Sequence, residues 1–236
     1  MYKGIYIALS GSVQKQGQLD ILTHNVANAS TVGFKKDRTS FQEFLVSGIS
    51  GLADSDDGRA MTDLSDVKTD FSAGTQLATN NPLDVALSGK GFLCLEGGRY
   101  TRKGDLQIGR ERYLVTQDGR KVMGAGGPIQ LPDGQVAISP NGEVRVNGTA
   151  IDTLKIVDFK NTDSLVELES GQYTTSEAPI PSTATVASGR LEASNVEAVK
   201  EMVQMITTLR EFEIYQKAIK AFDDAAARVN GEMAKV

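Results

Sequence analysis

Apolar residues recur at spacings of three and four toward the end of this chain. Met202, Met205, Leu209, Phe212, Ile219, Phe222, Ala226 and Val229 form the row, with Gln216 its one polar position. The opening repeats the pattern more sparsely, with Ile5, Leu9, Leu19, Leu22 and Val26 apolar and Ser12 and Gln16 filling the missing places. Such spacing gathers residues on one side of a helix, and the resulting stripe must be buried against something. It predicts a first helix from about Tyr2 to Asn28, ended by Asn28, Ser30 and Gly33, residues that tolerate the left-handed backbone of a helix stop. It also predicts a long final helix, with Ser194 or Asn195 as N-cap and Glu197 in the first turn. The stripes lie at opposite ends of the chain. The simplest partner of each is the other, or the same segments of neighbouring copies, so the pattern points to a protein that assembles.

Between the helices the period changes. Phe41, Phe44, Leu45 and Val46 fit a short helix or a strand alike, and Gly48 to Gly58 reads as a flexible, polar stretch. Asp70, Phe71 and Gly74 fit an extended connector with turns. From Asn81 to about Thr175, short apolar runs alternate with turn dipeptides. The runs are Gly91 to Glu96, Tyr113 to Thr116, Gln135 to Ser139, Glu143 to Val146 and Leu154 to Phe159. Gly97-Gly98, Asp118-Gly119, Asp133-Gly134, Asn141-Gly142 and Asn147-Gly148 are favourable hairpin turns. Thr174 to Ser188, with Pro179 and Pro181, reads as a polar linker. The fold class is therefore α+β, with terminal helices around a mainly antiparallel β region. The expected divisions are an N-terminal helix over 1–34, an extended connector over 35–80, a β-rich domain over 81–180, and a linker with the C-terminal helix over 181–236.

Composition narrows the functional classes. The chain's 236 residues are enough for a real core, and a net charge of -5 argues against a general nucleic-acid binder. Cys94 is the only cysteine and His24 the only histidine, so no internal disulfide, zinc cluster or cofactor site is expected. Cys94 lies in the apolar run Phe92-Leu93-Cys94-Leu95 and reads as a buried strand residue; His24 reads as a polar residue near a helix end. No run approaches the ~18 apolar residues of a transmembrane helix. The apolar stretch near Met1 is too short for a signal peptide, which implies a cytosolic protein or one exported without a cleaved signal.

Several segments imitate chemical sites. Gly124-Ala125-Gly126-Gly127-Pro128 lacks the Lys-Ser/Thr of a phosphate loop, and Pro128 removes a donor; it reads as a β turn, and Ser88-Gly89-Lys90-Gly91 fails the same test. Asp54-Ser55-Asp56-Asp57-Gly58 has its glycine one place early for a calcium loop and Ser65 where the closing Glu belongs. Asp223-Asp224 has no neighbouring acid or base. No active site emerges, and the reading is of a protein that is not an enzyme.

Three blocks carry a resemblance. Leu22-Thr23-His24-Asn25-Val26-Ala27-Asn28-Ala29-Ser30-Thr31-Val32-Gly33-Phe34-Lys35 is similar to an Asn-x-x-Ala-Asn core followed by Thr-x-Gly-Phe-Lys, with His24 in place of the usual Asn. Asn81 to Phe92 and Tyr100-Thr101-Arg102-Lys103-Gly104 resemble the entry to a β domain and a Tyr-Thr-Arg-x-Gly pattern. Leu191-Glu192-Ala193-Ser194-Asn195-Val196, Met202 to Ile206 and Arg210-Glu211-Phe212-Glu213 resemble a C-terminal signature. Together and in this order they resemble the rod and hook proteins of the bacterial flagellum. The length and the segment Arg210 to Lys217 look most like the proximal-rod members; the distal-rod members are very similar and slightly longer.

The resemblance implies paired terminal helices as a coiled-coil-like inner domain, an outer β domain and helical stacking into a hollow, torque-transmitting rod in the periplasm. It implies partners in other copies of itself, other rod proteins and the flagellar type III export apparatus. The expected assembly residues are Leu9, Leu19, Leu22, Asn25, Asn28, Gly33, Met205, Leu209, Phe212, Ile219, Phe222 and Val229. A soluble coiled-coil adaptor explains the stripes but not the three blocks; an enzyme on the β domain would need convergent titratable groups.

Overall fold

The computed structural model describes residues 2–46, 59–168 and 171–233, with side chains for 4–39, 67–168 and 171–228. The polar stretch from Gly48 to Gly58 lies outside these residues, as do the side chains of Phe41, Phe44, Leu45, Val46 and Val229. The chain divides into two compact units. The first gathers Met1–Ala27, Asp37–Lys68 and Glu197–Val236; the second gathers Asn28–Lys36 and Thr69–Val196.

The first unit holds two helices, α1 (Tyr2–Ala27) and α2 (Ala198–Met233), with strands β1 (Asp37–Val46) and β2 (Arg59–Thr69), which pair with each other. A two-stranded pair thus stands where the sequence reads as an extended connector. The helices lie side by side and antiparallel. Gly4 faces Phe222, Gly11 faces Tyr215, and Lys15 pairs with Glu211 at 2.7 Å, so each step up α1 is matched by an equal step down α2. α2 starts three residues beyond Asn195. The first helical hydrogen bond runs from Glu201 N–H to the Glu197 carbonyl, so neither Ser194 nor Asn195 is the N-cap. Asn195 is held elsewhere, as described below.

The second unit is β structure. In chain order its strands are β3 (Gln76–Ala78), β4 (Val85–Ser88), β5 (Phe92–Leu95), β6 (Arg99–Thr101), β7 (Gln107–Ile108), β8 (Leu114–Val115), β9 (Val136–Ile138), β10 (Glu143–Val146) and β11 (Thr149–Thr153). Then follow β12 (Ile156–Asp158), β13 (Val166–Glu167), β14 (Gln172–Thr174), β15 (Ile180–Pro181), β16 (Thr185–Ser188) and β17 (Arg190–Glu192). A six-stranded sheet runs β13-β14-β6-β5-β12-β15, and a three-stranded one β11-β10-β9. The pairs β10–β11, β9–β10, β6–β14 and β5–β6 are antiparallel, as the hairpin signals predict. Asn147-Gly148 turns β10 into β11 with φ of 52° and 83°, a conformation those two residue types take readily. One prediction fails. The segment Thr174 to Ser188 is no linker, because β15 pairs with β12, β16 pairs with β4, and Val186 is buried in the core. Its polar composition reflects edge positions, where only every second side chain turns inward.

β5 explains its own sequence. Leu93 and Leu95 enter a core with Val85, Leu114, Val122, Val144 and Leu154; Phe92 and Cys94 enter another with Val157, Phe159, Leu165 and Tyr173. Period-two alternation puts successive residues on opposite faces, so a strand buried on both must be apolar throughout.

Candidate assembly faces and a buried charge cluster

On α2 one row of half-buried or buried positions runs Glu201, Met205, Thr208, Phe212, Tyr215, Ile219, Phe222 and Ala226, with Glu211 and Ala218 half-buried beside it. The spacing alternates four and three without interruption, which is a heptad seam. On α1, Gly4, Ala8, Gly11, Lys15, Gln18, Leu22 and Asn25 follow the same repeat. This α1 face is made largely of small and polar residues. A Cβ built on Gly4 would stand 2.8 Å from the Phe222 ring, and one on Gly11 2.6 Å from the Tyr215 ring. Two glycines seven apart thus let two aromatics seven apart lie against the α1 backbone. Glycine inside a helix forfeits about 1 kcal/mol relative to alanine, which the ring contact offsets here.

The sequence row for α2 therefore mixes two faces. Met205, Phe212, Ile219 and Phe222 belong to the seam, whereas Met202 and Leu209 are 47% and 46% exposed and Gln216 is exposed as well. Seam and outer residues are neighbours in sequence (201 and 202, 208 and 209, 215 and 216). Apolarity alone picks the wrong member where the buried one is Glu201 or Thr208. On α1, Leu22 is buried and Leu19 half-buried, while Leu9 is 47% exposed. Asn25 is 1% exposed; its amide donates to the Asp37 carbonyl and accepts from the Asp37 N–H, both at 2.9 Å. A side-chain amide here pairs as a strand backbone would. His24 sits exposed on the last turn, 3.7 Å from the Asp37 carboxylate.

After α1 the chain turns. Asn28 is half-buried, and its side-chain oxygen accepts from the Thr31 hydroxyl at 3.1 Å. Gly33 has φ of +65°, and a Cβ there would meet the Arg102 backbone at 2.8 Å. Gly33 N–H donates to the Glu192 carbonyl at 2.7 Å. The next charged residue, Lys35, is wholly buried; its Nζ donates to Glu192 Oε1 at 2.5 Å and to the Ser72 carbonyl at 2.7 Å. Gly74 N–H donates to the same Glu192 oxygen at 2.9 Å. Arg102, 4% exposed, places Nη1 3.5 Å from Glu192 Oε2, an ion pair without hydrogen-bond geometry. Its Nη2 donates to the Gly89 carbonyl, and the guanidinium lies over the Phe92 ring. Asn195 completes the site. Its Oδ1 accepts from Lys36 N–H, and its Nδ2 donates to the Asp70 carbonyl at 2.7 Å.

Glu192 of the third block thus joins the other two: its backbone carbonyl accepts from Gly33, and its carboxylate meets Lys35 of the first block and Arg102 of the second, while Asn195 ties in the backbone at Lys36 and Asp70. Burial lowers the pKa of both Lys35 and Arg102 from their ordinary values, and Glu192 opposes the shift in each. Lys35, Arg102, Glu192 and Asn195 are structural residues that no periodicity singles out. The only signal was that each of them falls inside one of the three blocks that carry the resemblance. Cys94 is 6% exposed, and burial pushes its thiol up to about 11, which fits a core residue and not a nucleophile. Among the described residues no group of acids, His and Cys could hold a metal, and no helix is long and apolar enough to cross a membrane.

Comparison with known proteins places the three blocks. The family description "Flagella basal body rod protein" matches residues 5–35, "Flagellar hook protein FlgE/F/G D1 domain" matches 86–146, and "Flagellar basal body rod FlgEFG protein C-terminal" matches 187–232. The chain is 32% identical to the flagellar basal-body rod protein FlgG of Bacillus subtilis strain 168, over 95% of this chain and 96% of that one. It is also 32% identical to the flagellar basal-body rod protein FlgF of Escherichia coli strain K12 and to that of Salmonella typhimurium, each over 98% of both chains. Identity therefore does not separate the FlgF from the FlgG type. The matches reach both helices, the β unit and the charge cluster, and the chain belongs to the flagellar basal-body rod protein family.

Proposed function

We propose that this chain is a structural subunit of the bacterial flagellar basal-body rod, stacking with copies of itself and with other rod proteins through its terminal helices. The observation that carries the reading is the helical pair. It carries exposed Tyr6, Leu9 and Val13 on α1 and exposed Val199, Met202, Val203, Ile206 and Leu209 on α2, more apolar surface than a finished helical unit leaves in water. The β unit holds its own closed core and contributes bulk and rigidity. The assembly residues we propose are the seam positions Leu22, Asn25, Met205, Phe212, Ile219 and Phe222, which shape the pair, with half-buried Leu19 beside the α1 seam and Val229, taken from its sequence spacing alone. With them go Leu9 and Leu209 on its outer faces, and Asn28 and Gly33 at the turn that follows α1.

The rod lies in the periplasm, and the subunit reaches it through the flagellar export apparatus. It carries out no chemistry and binds no nucleic acid. Chain length favours the FlgF type, with the FlgG type as the alternative. Deleting the gene tests the reading: loss of swimming with truncated basal bodies is the expected result. Full-length rods and normal swimming in the deletion strain would reject it.

A further inference from the structure

One of the places where the chain passes between its two units is the peptide bond joining Lys36 to Asp37. Both residues have their backbone N–H and C=O taken. Asp37 N–H donates to Asn25 Oδ1, and the Asp37 carbonyl accepts from Asn25 Nδ2, both at 2.9 Å. Lys36 N–H donates to Asn195 Oδ1 at 2.8 Å, and the Lys36 carbonyl accepts from Asp70 N–H at 2.8 Å. A side-chain amide suits this task because it carries a donor and an acceptor together, the complement of one residue's backbone.

The two amides belong to different parts of the fold. Asn25 stands in the last turn of α1 and is 1% exposed, so it meets Asp37 only while that turn is wound. Asn195 stands beside the charge cluster. Its Nδ2 also donates to the Asp70 carbonyl, and Glu192, three residues earlier, receives Lys35 and Gly74 N–H on one carboxylate oxygen. Between Asn25 and Asp37 the chain is fastened into the β unit by Gly33 N–H on the Glu192 carbonyl and by buried Phe34 and Lys35.

We infer that Asn25 and Asn195 form a relay through the Lys36–Asp37 peptide, by which the winding of the last turn of α1 tightens the buried charge cluster. Unwinding that turn frees both backbone groups of Asp37 at once. Two unpaired backbone groups then seek water, and the adjoining Lys36 is drawn from Asn195 and Asp70. Linkage makes the effect reciprocal, so a firm cluster steadies the end of α1 by the same factor. The relay goes beyond the rod reading and does not depend on it. Whatever orders α1, a neighbouring subunit included, thereby reaches the β unit.

Amide hydrogen exchange on the full chain, resolved by residue, tests this. Gly74 N–H is the reporter, since it bonds Glu192 and not Asn25. Leu114 N–H, bonded to the Ile129 carbonyl in the β core, is the control. Asn25→Ala should speed exchange at Gly74 and Asp70 at least about fivefold and leave Leu114 unchanged. Asn195→Ala should speed exchange at Asp37. In the Asn195→Ala background, adding Asn25→Ala should change Gly74 by less than about twofold, because a relay already cut has nothing more to lose. Gly74 exchange unchanged by Asn25→Ala overturns the relay, as does a double variant whose effects multiply in full; each Asn then acts locally, and the rod reading stands. If Leu114 opens together with Gly74, Asn25→Ser, which keeps a polar group on a shorter stem, takes the place of Asn25→Ala, and the same two criteria decide.

Discussion

The two units bury their residues in different ways. In the β unit, Leu93, Leu114, Val122 and Val144 are wholly enclosed, and Phe71, Phe92 and Tyr173 stack edge to face with centroids 5.1 to 6.0 Å apart. In the helical unit the seam is only half covered. Glycine and lysine stand where a self-sufficient pair would carry leucine, and apolar side chains face water on both helices. The β unit is finished when the chain folds. The helical unit is shaped to be finished by neighbours, because its best apolar residues lie on faces its own partner does not reach.

The largest effect that should sharpen this contrast is in the charge cluster. Lys35→Met leaves the buried Glu192 with Arg102 as its remaining cation and Gly74 N–H as its remaining donor, and breaking a buried pair by removing one partner costs about 3–5 kcal/mol. Urea unfolding of the β unit, followed by near-ultraviolet dichroism of its tyrosines, should show the loss with helix content little changed. Equal loss from both units would show that they do not fold separately. Asn195→Ala should come next, at about 1–3 kcal/mol, since it strips partners from Lys36 N–H and the Asp70 carbonyl in the same unit.

In the helical unit, Gly11→Leu should reduce far-ultraviolet helicity in spite of the ~1 kcal/mol helix-propensity gain, because the new side chain displaces the Tyr215 ring. Retained helicity would mean that the ring contact does not set the register. The smallest expected change is Asn28→Gly, at about 0.5–1 kcal/mol from backbone entropy alone. Its side chain sits in a local turn with Thr31, and swimming should persist. Loss of swimming with normal folding and export would instead place Asn28 in a contact between copies. Cys94 gives a second, chemical check on the β unit. A buried thiol with a pKa of about 11 should resist alkylation at pH 8 until urea opens the core.

The chain's own letters determined the helices and the hairpin turns. Helical periodicity and Asn-Gly or Gly-Gly turns are local, and local energetics suffice for them. The strand Phe92-Leu93-Cys94-Leu95 was legible for the same reason, since only a strand covered on both faces is apolar at every position. What periodicity could not reach was which side of α2 turns inward. The helix is apolar on two sides, and the choice of Glu201 over Met202 and of Thr208 over Leu209 depends on what α1 offers opposite. Nor could spacing reveal that Lys35, Arg102 and Glu192 meet. They lie far apart in sequence, and only the tertiary fold removes them together from water, where each charge becomes tolerable because the others are there.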